Sequence, residues 1–205
     1  MFSARSKALS DPLLRPLALR LMRLGITQTA ITLTGLGLVL ASCLWVILTK
    51  RLLLFCVLVL AASLFDVLDG AMARAGGKAT AAGAYLDAVC DRYAEAAIVL
   101  TVAWVTGLWL LSGLVLAGAL LTSYAKARAA METSVSNLEW PDLLERPERG
   151  MVYVAGLAAS RLTAWRPLGQ DVFWWALLLL AVLTHATALQ RIRRALRFIR
   201  TRSGR

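Results

Sequence analysis

Four aspartates lie within 26 residues of an otherwise apolar stretch, and their spacing suits joint chemistry. Asp66 and Asp69 are three residues apart, and Asp87 and Asp91 are four apart. On a helix, each of these spacings places both carboxylates on one face. Carboxylate oxygens are the ligands that Mg²⁺ and Mn²⁺ prefer, and two such ions can clamp the attacking and leaving oxygens of a phosphoryl transfer. The spacing therefore predicts a two-metal site that acts on a phosphate.

Divalent cations would also neutralise the negative charge of the four carboxylates. Lys78 is the only lysine between Asp66 and Asp91, and Arg74 and Arg92 are too few to neutralise four carboxylates near a membrane. A divalent-cation channel or carrier is the rival from another class. The outer halves of the predicted spans carry no acidic residues to continue an ion path. A metal-dependent enzyme is therefore favoured over a channel or carrier.

The composition is that of a membrane protein. Hydrophobic residues make up 59% of the 205 residues and charged residues 17%, against about 25% charged residues in a soluble domain. A soluble helical bundle would need polar faces at helical period, and segments such as "LLLFCVLVLAASLF" have none. We predict an all-α integral membrane fold with six transmembrane helices, at roughly 29–48, 52–74, 84–106, 108–127, 150–165 and 172–190.

The basic residues predict how these spans are oriented. Eighteen of the 23 Lys and Arg residues fall on the side of the two termini and of the loop between the aspartate pairs, and four fall on the other side. The positive-inside rule places the termini and the aspartates at the cytosolic face, which we assign to a bacterial inner membrane. The net charge of +11 is thereby explained by the membrane, and no nucleic-acid partner is expected.

Three regions follow from this topology. Residues 1–28 are predicted to be a cytosolic N-terminus containing an interfacial amphipathic helix, with residues 29–190 as the transmembrane catalytic domain and 191–205 as a basic cytosolic tail. A plain basic lead-in that only sets topology is the alternative for the N-terminus. The apolar side of the proposed helix gathers Leu13, Leu14, Leu17, Leu21 and Leu24.

The aspartate stretch also matches a family signature. It reads Asp66, two residues, Asp69-Gly70, two residues, Ala73-Arg74, eight residues, Gly83, three residues, Asp87, three residues and Asp91. This resembles the complete signature of the CDP-alcohol phosphotransferases, the class I CDP-alcohol phosphatidyltransferases. Eight fixed positions match by chance about once in 10¹⁰ starts.

The resemblance implies a reaction and a role for each matched residue. In the family, an alcohol attacks the β-phosphorus of a CDP-linked lipid such as CDP-diacylglycerol, CMP leaves, and a phosphodiester lipid remains. The four aspartates would hold two divalent ions, Mg²⁺ or Mn²⁺, and Asp91 would also be the general base. The resemblance further implies a homodimer. The predicted contacts to the CDP-lipid are Gly70, Arg74, Thr80, Thr29 and Thr32.

The chain departs from the family at one place. Members often carry Pro-Asn or Pro-Asp shortly before the first span, and this chain has Gln28-Thr29 there. The glycines leave two interpretations open. At Gly83, helix packing and ligand approach are equally supported, whereas Gly70 lies between the two aspartate faces and favours ligand approach.

Two blocks further along bear on the acceptor alcohol. "SYAKARA" and "ERPERG", together with "GAYLDAVCDRYAEA", resemble blocks of the phosphatidylinositol-phosphate and archaetidylinositol-phosphate synthases. A basic pocket in that branch binds the acceptor's phosphate. Inositol 1-phosphate is therefore predicted first and glycerol 3-phosphate second. The alternative is that the charges only set topology, which is favoured for Arg193, Arg194 and Arg197. The matching residues here are Ser123, Lys126, Arg146 and Arg191.

Overall fold

The computed structural model describes residues 14–76, 80–132 and 143–203, and every regular element in these ranges is a helix. The chain divides into two compact units, Met1–Thr106 and Gly107–Arg205. The first contains α1 over residues 14–23, α2 (Gln28–Thr49), α3 (Leu52–Gly76) and α4 (Ala81–Thr106). The second contains α5 (Trp109–Glu132), α6 (Arg146–Leu162), a 3₁₀ turn at Pro167–Gly169 and α7 (Val172–Ser203).

Within the described ranges, four helices are long and apolar enough to cross a membrane, which agrees with an integral membrane protein. Each of the six predicted spans corresponds to one helix, but α4 and α6 fall outside this group. α6 has only 17 residues, and α4 carries charged residues over its first half. The four spans are Gln28–Thr49, Leu52–Met72, Trp109–Glu132 and Val172–Arg200.

The first unit is organised around α2, which packs against both α3 and α4. Lys50 ends α2 in the left-handed conformation (φ 59°), and its N–H donates to the carbonyl of Val46 at 2.8 Å. α3 begins two residues later, at Leu52, so the connection is very short. Such a short connection makes α2 and α3 antiparallel neighbours.

α1 packs on the first unit through part of the predicted apolar side. Ala18 is fully buried against Ile31 of α2 and Ala71 and Met72 of α3, and Leu14 and Leu21 pack against this cluster. Leu17 and Leu24, which the sequence also assigns to the apolar side, are 45% and 76% exposed. Ala18 lies outside the predicted set, and its small size allows close approach to the neighbouring helices. Residues 1–13, including Leu13 of the predicted apolar side, lie outside the described range.

In the second unit, small residues let α7 approach α5 and α6 closely. A Cβ added at Gly118 of α5 would lie 2.8 Å from the Cβ of Thr184 and 3.1 Å from Cδ2 of His185 on α7. A Cβ at Gly156 of α6 would overlap the Cβ of Ala176 on α7. Without a hydrophobic driving force in lipid, such close backbone approach is what holds membrane helices together.

Caps fix where α6 and α7 begin. Glu148 accepts the backbone N–H of Glu145 at 3.0 Å, so α6 starts at Arg146, four residues before the predicted span. Asp171 accepts the N–H of Trp174 at 2.9 Å at the start of α7, and it also pairs with Arg161 at 3.5 Å. Arg161, which interrupts the predicted fifth span, therefore lies at the end of α6 with a carboxylate partner.

α7 does not end where the predicted span ends. The sequence places the boundary at residue 190, because arginines follow it, but the helix continues to Ser203. The change from apolar to basic residues marks the predicted end of the transmembrane span. The helix continues past it because arginine is a good helix former. Residues 204 and 205 of the predicted tail lie outside the described range.

We expect Gly118→Ala to destabilise the protein by about 1–3 kcal/mol, since its methyl group would overfill the α5–α7 contact. Gly113→Ala on the same helix is the matched control, because nothing lies within 4 Å of its added Cβ. Thermal unfolding in detergent should show a lower midpoint for the first variant and an unchanged or higher one for the second. Equal midpoints would contradict the close packing.

Candidate functional site

The four aspartates occupy two neighbouring elements of the first unit. Asp66 and Asp69 lie on α3, and Asp87 and Asp91 lie on the first half of α4. Asp69 is only 2% exposed, Asp66 is exposed and the α4 pair is half-buried. All four carboxylates lie near enough to Cys90 of α4 for their negative charges to act on its thiol.

The donor chemistry of this region fits a hard divalent cation, since all four side chains offer carboxylate oxygens. Within the described ranges, no three His, Cys, Asp or Glu side chains are grouped closely enough to hold one ion together.

One face of α2 contacts this acidic region. Thr32 Oγ1 donates to Asp69 Oδ2 at 2.8 Å. A Cβ added at Gly35 would lie 3.9 Å from Asp66 Oδ1, and Oε1 of Gln28 lies 3.5 Å from where a Cβ at Gly83 would be. Positions 28, 32 and 35 share one helix face, so this face of α2 borders the α3 aspartates and the start of α4.

Two of the predicted nucleotide contacts lie on α2, and they differ in burial. Thr32 is 7% exposed and its hydroxyl already has a carboxylate partner. Thr29 is exposed. The two threonines are three residues apart and thus neighbours on one side of the helix, but only Thr32 lies in the contact with α3.

Gly70 and Arg74 lie one helical turn apart on α3 and contact each other. A Cβ added at Gly70 would lie 3.1 Å from Nη1 of Arg74, so the guanidinium folds back over the glycine. The missing side chain therefore gives the guanidinium room next to Asp69, the residue before Gly70. A fixed cation at that place suits a diphosphate.

Thr80 has a structural task in addition to the predicted one. Its Oγ1 accepts the N–H of Gly83 at 3.0 Å, which makes Thr80 the N-cap of α4. A Cβ at Gly83 would lie 3.0 Å from that same oxygen. The structure thus supports the packing interpretation of Gly83, because the glycine admits the cap and the side chain of Gln28.

The basic residues predicted to bind the acceptor all lie in the second unit. Ser123 and Lys126 are on the last turns of α5, Arg146 is the first residue of α6, and Arg191 is on α7. Lys126 is exposed, Ser123 and Arg146 are half-buried, and Arg191 is 9% exposed. The burial of Arg191 distinguishes it from the exposed arginines that follow it.

Hydrogen bonds to backbone carbonyls hold the side chains of Arg191 and Thr122 in place. Its Nη1 donates to the carbonyl of Thr122 at 2.6 Å, and Thr122 Oγ1 lies 2.8 Å from the carbonyl of Gly118 and 3.3 Å from that of Thr184. Thr184 is 1% exposed, so these groups satisfy one another away from water. The guanidinium is therefore fixed between α5 and α7.

Sequence reasoning named Arg149 only as lying close to the predicted acceptor residues. Arg149 is 5% exposed and thus more deeply buried than Arg146, from which it is one turn away. Thr122 was missed. Its position four residues after Gly118 forms a small-xxx-small pattern that indicates helix contact.

With this geometry established, known proteins offer a comparison. Residues 27–186 match the sequence model of the family described as CDP-alcohol phosphatidyltransferase. The chain belongs to this family. The match spans all six predicted transmembrane segments except the end of the last. It covers the acidic region and, of the predicted acceptor residues, Ser123, Lys126 and Arg146.

Named relatives lie within one branch of that family. The chain is 34% identical over 197 residues to the phosphatidylinositol phosphate synthase of Mycobacterium marinum, covering 91% of this chain and 81% of the relative. It is 36% identical over 141 residues to the archaetidylinositol phosphate synthase of Methanothermobacter thermautotrophicus, covering 66% of each. The resemblance to this branch, drawn from three short blocks, is confirmed.

Solved structures agree in fold. The crystal structure of the Mycobacterium tuberculosis phosphatidylinositol phosphate synthase with CDP-DAG bound has a TM-score of 0.77 and 30% identity, covering 90% of this chain and 94% of that one. The same protein in complex with manganese and citrate has a TM-score of 0.76 and 30% identity, covering 89% and 88%.

We expect Thr80→Ala to destabilise the protein by about 0.5–2 kcal/mol in the absence of any substrate, because the variant loses the N-cap of α4. Thr80→Ser keeps the oxygen and should unfold close to wild type. Thermal unfolding in detergent, without nucleotide, measures both. An unchanged midpoint for Thr80→Ala would contradict the capping role and leave ligand contact as the only role of the Thr80 hydroxyl.

Proposed function

We propose that the protein transfers the phosphatidyl group of CDP-diacylglycerol to a phosphorylated polyol, inositol 1-phosphate, and releases CMP. The observation that carries this proposal is the complete acidic signature on α3 and α4, with Asp69 buried and hydrogen-bonded to Thr32. Family membership supports the reaction type, and the relatives named phosphatidylinositol phosphate synthase support the acceptor.

The acidic region would hold the metal. Asp66, Asp69, Asp87 and Asp91 are proposed as ligands of two divalent ions, Mg²⁺ or Mn²⁺, and the manganese complex of the Mycobacterium tuberculosis relative supports a divalent ion. Bound there, such ions would stabilise the negative charge that builds up on the diphosphate oxygens.

The protein's own side chains do the remaining work. Asp91 takes the proton of the acceptor hydroxyl, whose oxygen forms a bond to the β-phosphorus. The bond from that phosphorus to the bridging oxygen breaks, and CMP leaves with the electron pair. Arg74 holds the diphosphate, with Gly70 admitting its guanidinium. Thr80 and Thr29 are proposed as further contacts to the CDP-lipid.

The acceptor's phosphate is assigned to Ser123, Lys126, Arg146 and Arg191. A dianion is bound best by charge-assisted hydrogen bonds, and a preorganised arginine loses less entropy on binding it. The bond from Arg191 to Thr122 supplies that preorganisation. Glycerol 3-phosphate carries the same phosphate, so phosphatidylglycerophosphate synthesis is the second candidate function.

The membrane arrangement completes the proposal. α4 and α6 are proposed to cross the membrane with the four apolar helices, which gives six spans. α6 is about 25 Å long, close to the lower limit for a span, and its charged residues lie at its two ends. Residues 29–190 then form the catalytic domain, with α1 of segment 1–28 as an interfacial helix. The active site is proposed to face the cytosol of a bacterial inner membrane, together with both termini and the tail 191–205. The protein is proposed to be a homodimer.

We expect the separate substitutions Asp66→Asn, Asp69→Asn, Asp87→Asn and Asp91→Asn each to abolish CMP release from CDP-diacylglycerol. For Asp91 the loss should be about 10²- to 10⁴-fold, the usual contribution of a general base. EDTA should remove activity, and Mg²⁺ or Mn²⁺ should restore it.

Asp171→Asn is the control, since this aspartate caps α7 and lies outside the acidic region. It should retain activity. Full activity in any one of the four variants contradicts the shared site. Metal passage across vesicles without metal-dependent CMP release would favour the cation carrier instead.

We also expect Arg146→Ala to raise the KM for the acceptor about ten- to a hundredfold, because one charge-assisted bond contributes about 1.5–3 kcal/mol. The KM for CDP-diacylglycerol should not change. Purified protein is assayed with CDP-diacylglycerol and inositol phosphate, glycerol phosphate, inositol, serine or choline.

Arg128→Ala controls for the change in charge, because Arg128 pairs with Glu132 at 2.6 Å on an exposed part of α5. This variant should behave as wild type. Transfer to serine or choline alone, unaffected by Arg146→Ala, would leave the basic residues as a topology signal only.

A further inference from the structure

The hydroxyl of Thr32 is held differently from its neighbours on α2. Thr34 and Ser42 donate to the carbonyl four residues earlier, each at 2.7 Å. This is the usual way in which hydroxyls satisfy themselves within a helix. Thr32 reaches another helix instead, and its Oγ1 lies 2.8 Å from Asp69 Oδ2.

A hydroxyl has one proton, and here it has two candidate acceptors. The carbonyl of Gln28 lies 3.2 Å from Thr32 Oγ1, which is farther than Asp69 Oδ2. A carboxylate is the stronger acceptor as well as the nearer one, so the proton goes to Asp69. Both side chains are buried, at 7% and 2% exposure, so water does not compete for this bond.

We propose that Thr32 is a positioning residue, which orients the Asp69 carboxylate toward a divalent cation. This inference rests on the proposed function, because it takes Asp69 as a metal ligand. The bond to Thr32 occupies one lone pair of Oδ2 and fixes rotation of the carboxylate. The remaining lone pairs are then presented to a cation without further loss of side-chain entropy.

The backbone of α2 supports the same role. Gly35, one turn after Thr32, is buried beside Phe65 and Asp66, and a Cβ there would lie 3.1 Å from Phe65 Cβ. The glycine therefore lets α2 approach α3 closely enough for a hydroxyl as short as that of threonine to reach Asp69. The contact is set by the spacing of two helices, which makes it reproducible from molecule to molecule.

The competing role for Thr32 is a direct contact to the CDP-lipid, which the sequence suggests. A nucleotide contact would need an exposed hydroxyl with free hydrogen-bonding capacity. Thr32 is 7% exposed and its single proton is engaged with Asp69. The two roles predict different losses, since one concerns metal affinity and the other concerns nucleotide affinity.

The test is a Mn²⁺ titration of the purified full-length protein in detergent without substrate, read from the electron paramagnetic resonance signal of free Mn²⁺. Thr32→Val, which keeps shape and removes the donor, should weaken Mn²⁺ binding about 10- to 100-fold. Thr32→Ser should restore binding close to wild type. Thr34→Val is the matched control on the same helix and should leave Mn²⁺ affinity unchanged.

A second readout separates the competing role. Affinity for CDP without metal should be the same in Thr32→Val and wild type. Wild-type Mn²⁺ affinity in Thr32→Val, or a loss of metal-free CDP affinity with Mn²⁺ affinity retained, overturns the inference. If Thr32→Val does not elute as a folded species from size-exclusion chromatography, Thr32→Ala decides by the same criteria.

The Mn²⁺ binding measurements also distinguish a failure of the positioning role from a failure of the proposed function. Wild-type protein that binds no Mn²⁺, or Asp69→Asn that binds it as well as wild type, overturns the metal site itself. Mn²⁺ binding that depends on Asp69 but is indifferent to Thr32→Val overturns only the positioning role.

Discussion

The burial of negative charge among apolar helices is the constraint on which the first unit depends. An ionised carboxylate away from water is costly unless hydrogen bonds or cations compensate for it. Asp69 is almost fully buried, and the α2 hydroxyl of Thr32 supplies one such bond. The small and polar residues along that face of α2 meet this need, since an ordinary apolar face would deprive the carboxylate of the bond from Thr32.

The second unit solves the opposite problem, the burial of positive charge. Arg191 lies on a helix that can cross a membrane, and its guanidinium bonds to a backbone carbonyl of α5. Backbone carbonyls keep a second lone pair after forming their helical bond, so they can accept a buried arginine without breaking the helix. Both units thus hold a charged group by means of a neighbouring helix, with a threonine at each contact.

Much of this architecture follows from the sequence. Apolar runs of about 20 residues specify helices whatever their partners are, and every predicted span is a helix. The burial of Ala18 in the contact of α1 did not follow, because alanine gives almost no hydrophobic signal and packs there through its small size. The end of α7 did not follow either, because arginines mark the membrane boundary and favour helix at the same time.

The site shows the same division. The acidic spacing predicts which carboxylates share a face, because one helix carries each pair. The bond between Thr32 and Asp69 joins residues 37 positions apart, so no local pattern announces it. The cap at Thr80 was within reach of sequence rules, since threonine directly before a helix is a common N-cap, but a functional interpretation took precedence.

The close contact at Gly118 has a consequence for the position of Arg191. Gly118 lies one turn before Thr122 on α5 and touches Thr184, which is two turns before Arg191 on α7. The interaxial distance at this point determines how far the Arg191 side chain extends to reach the Thr122 carbonyl. A residue with no side chain thus sets the place at which the guanidinium is held. Under the proposed function, a wider gap between the two helices would weaken anion binding by Arg191 before it unfolded the protein.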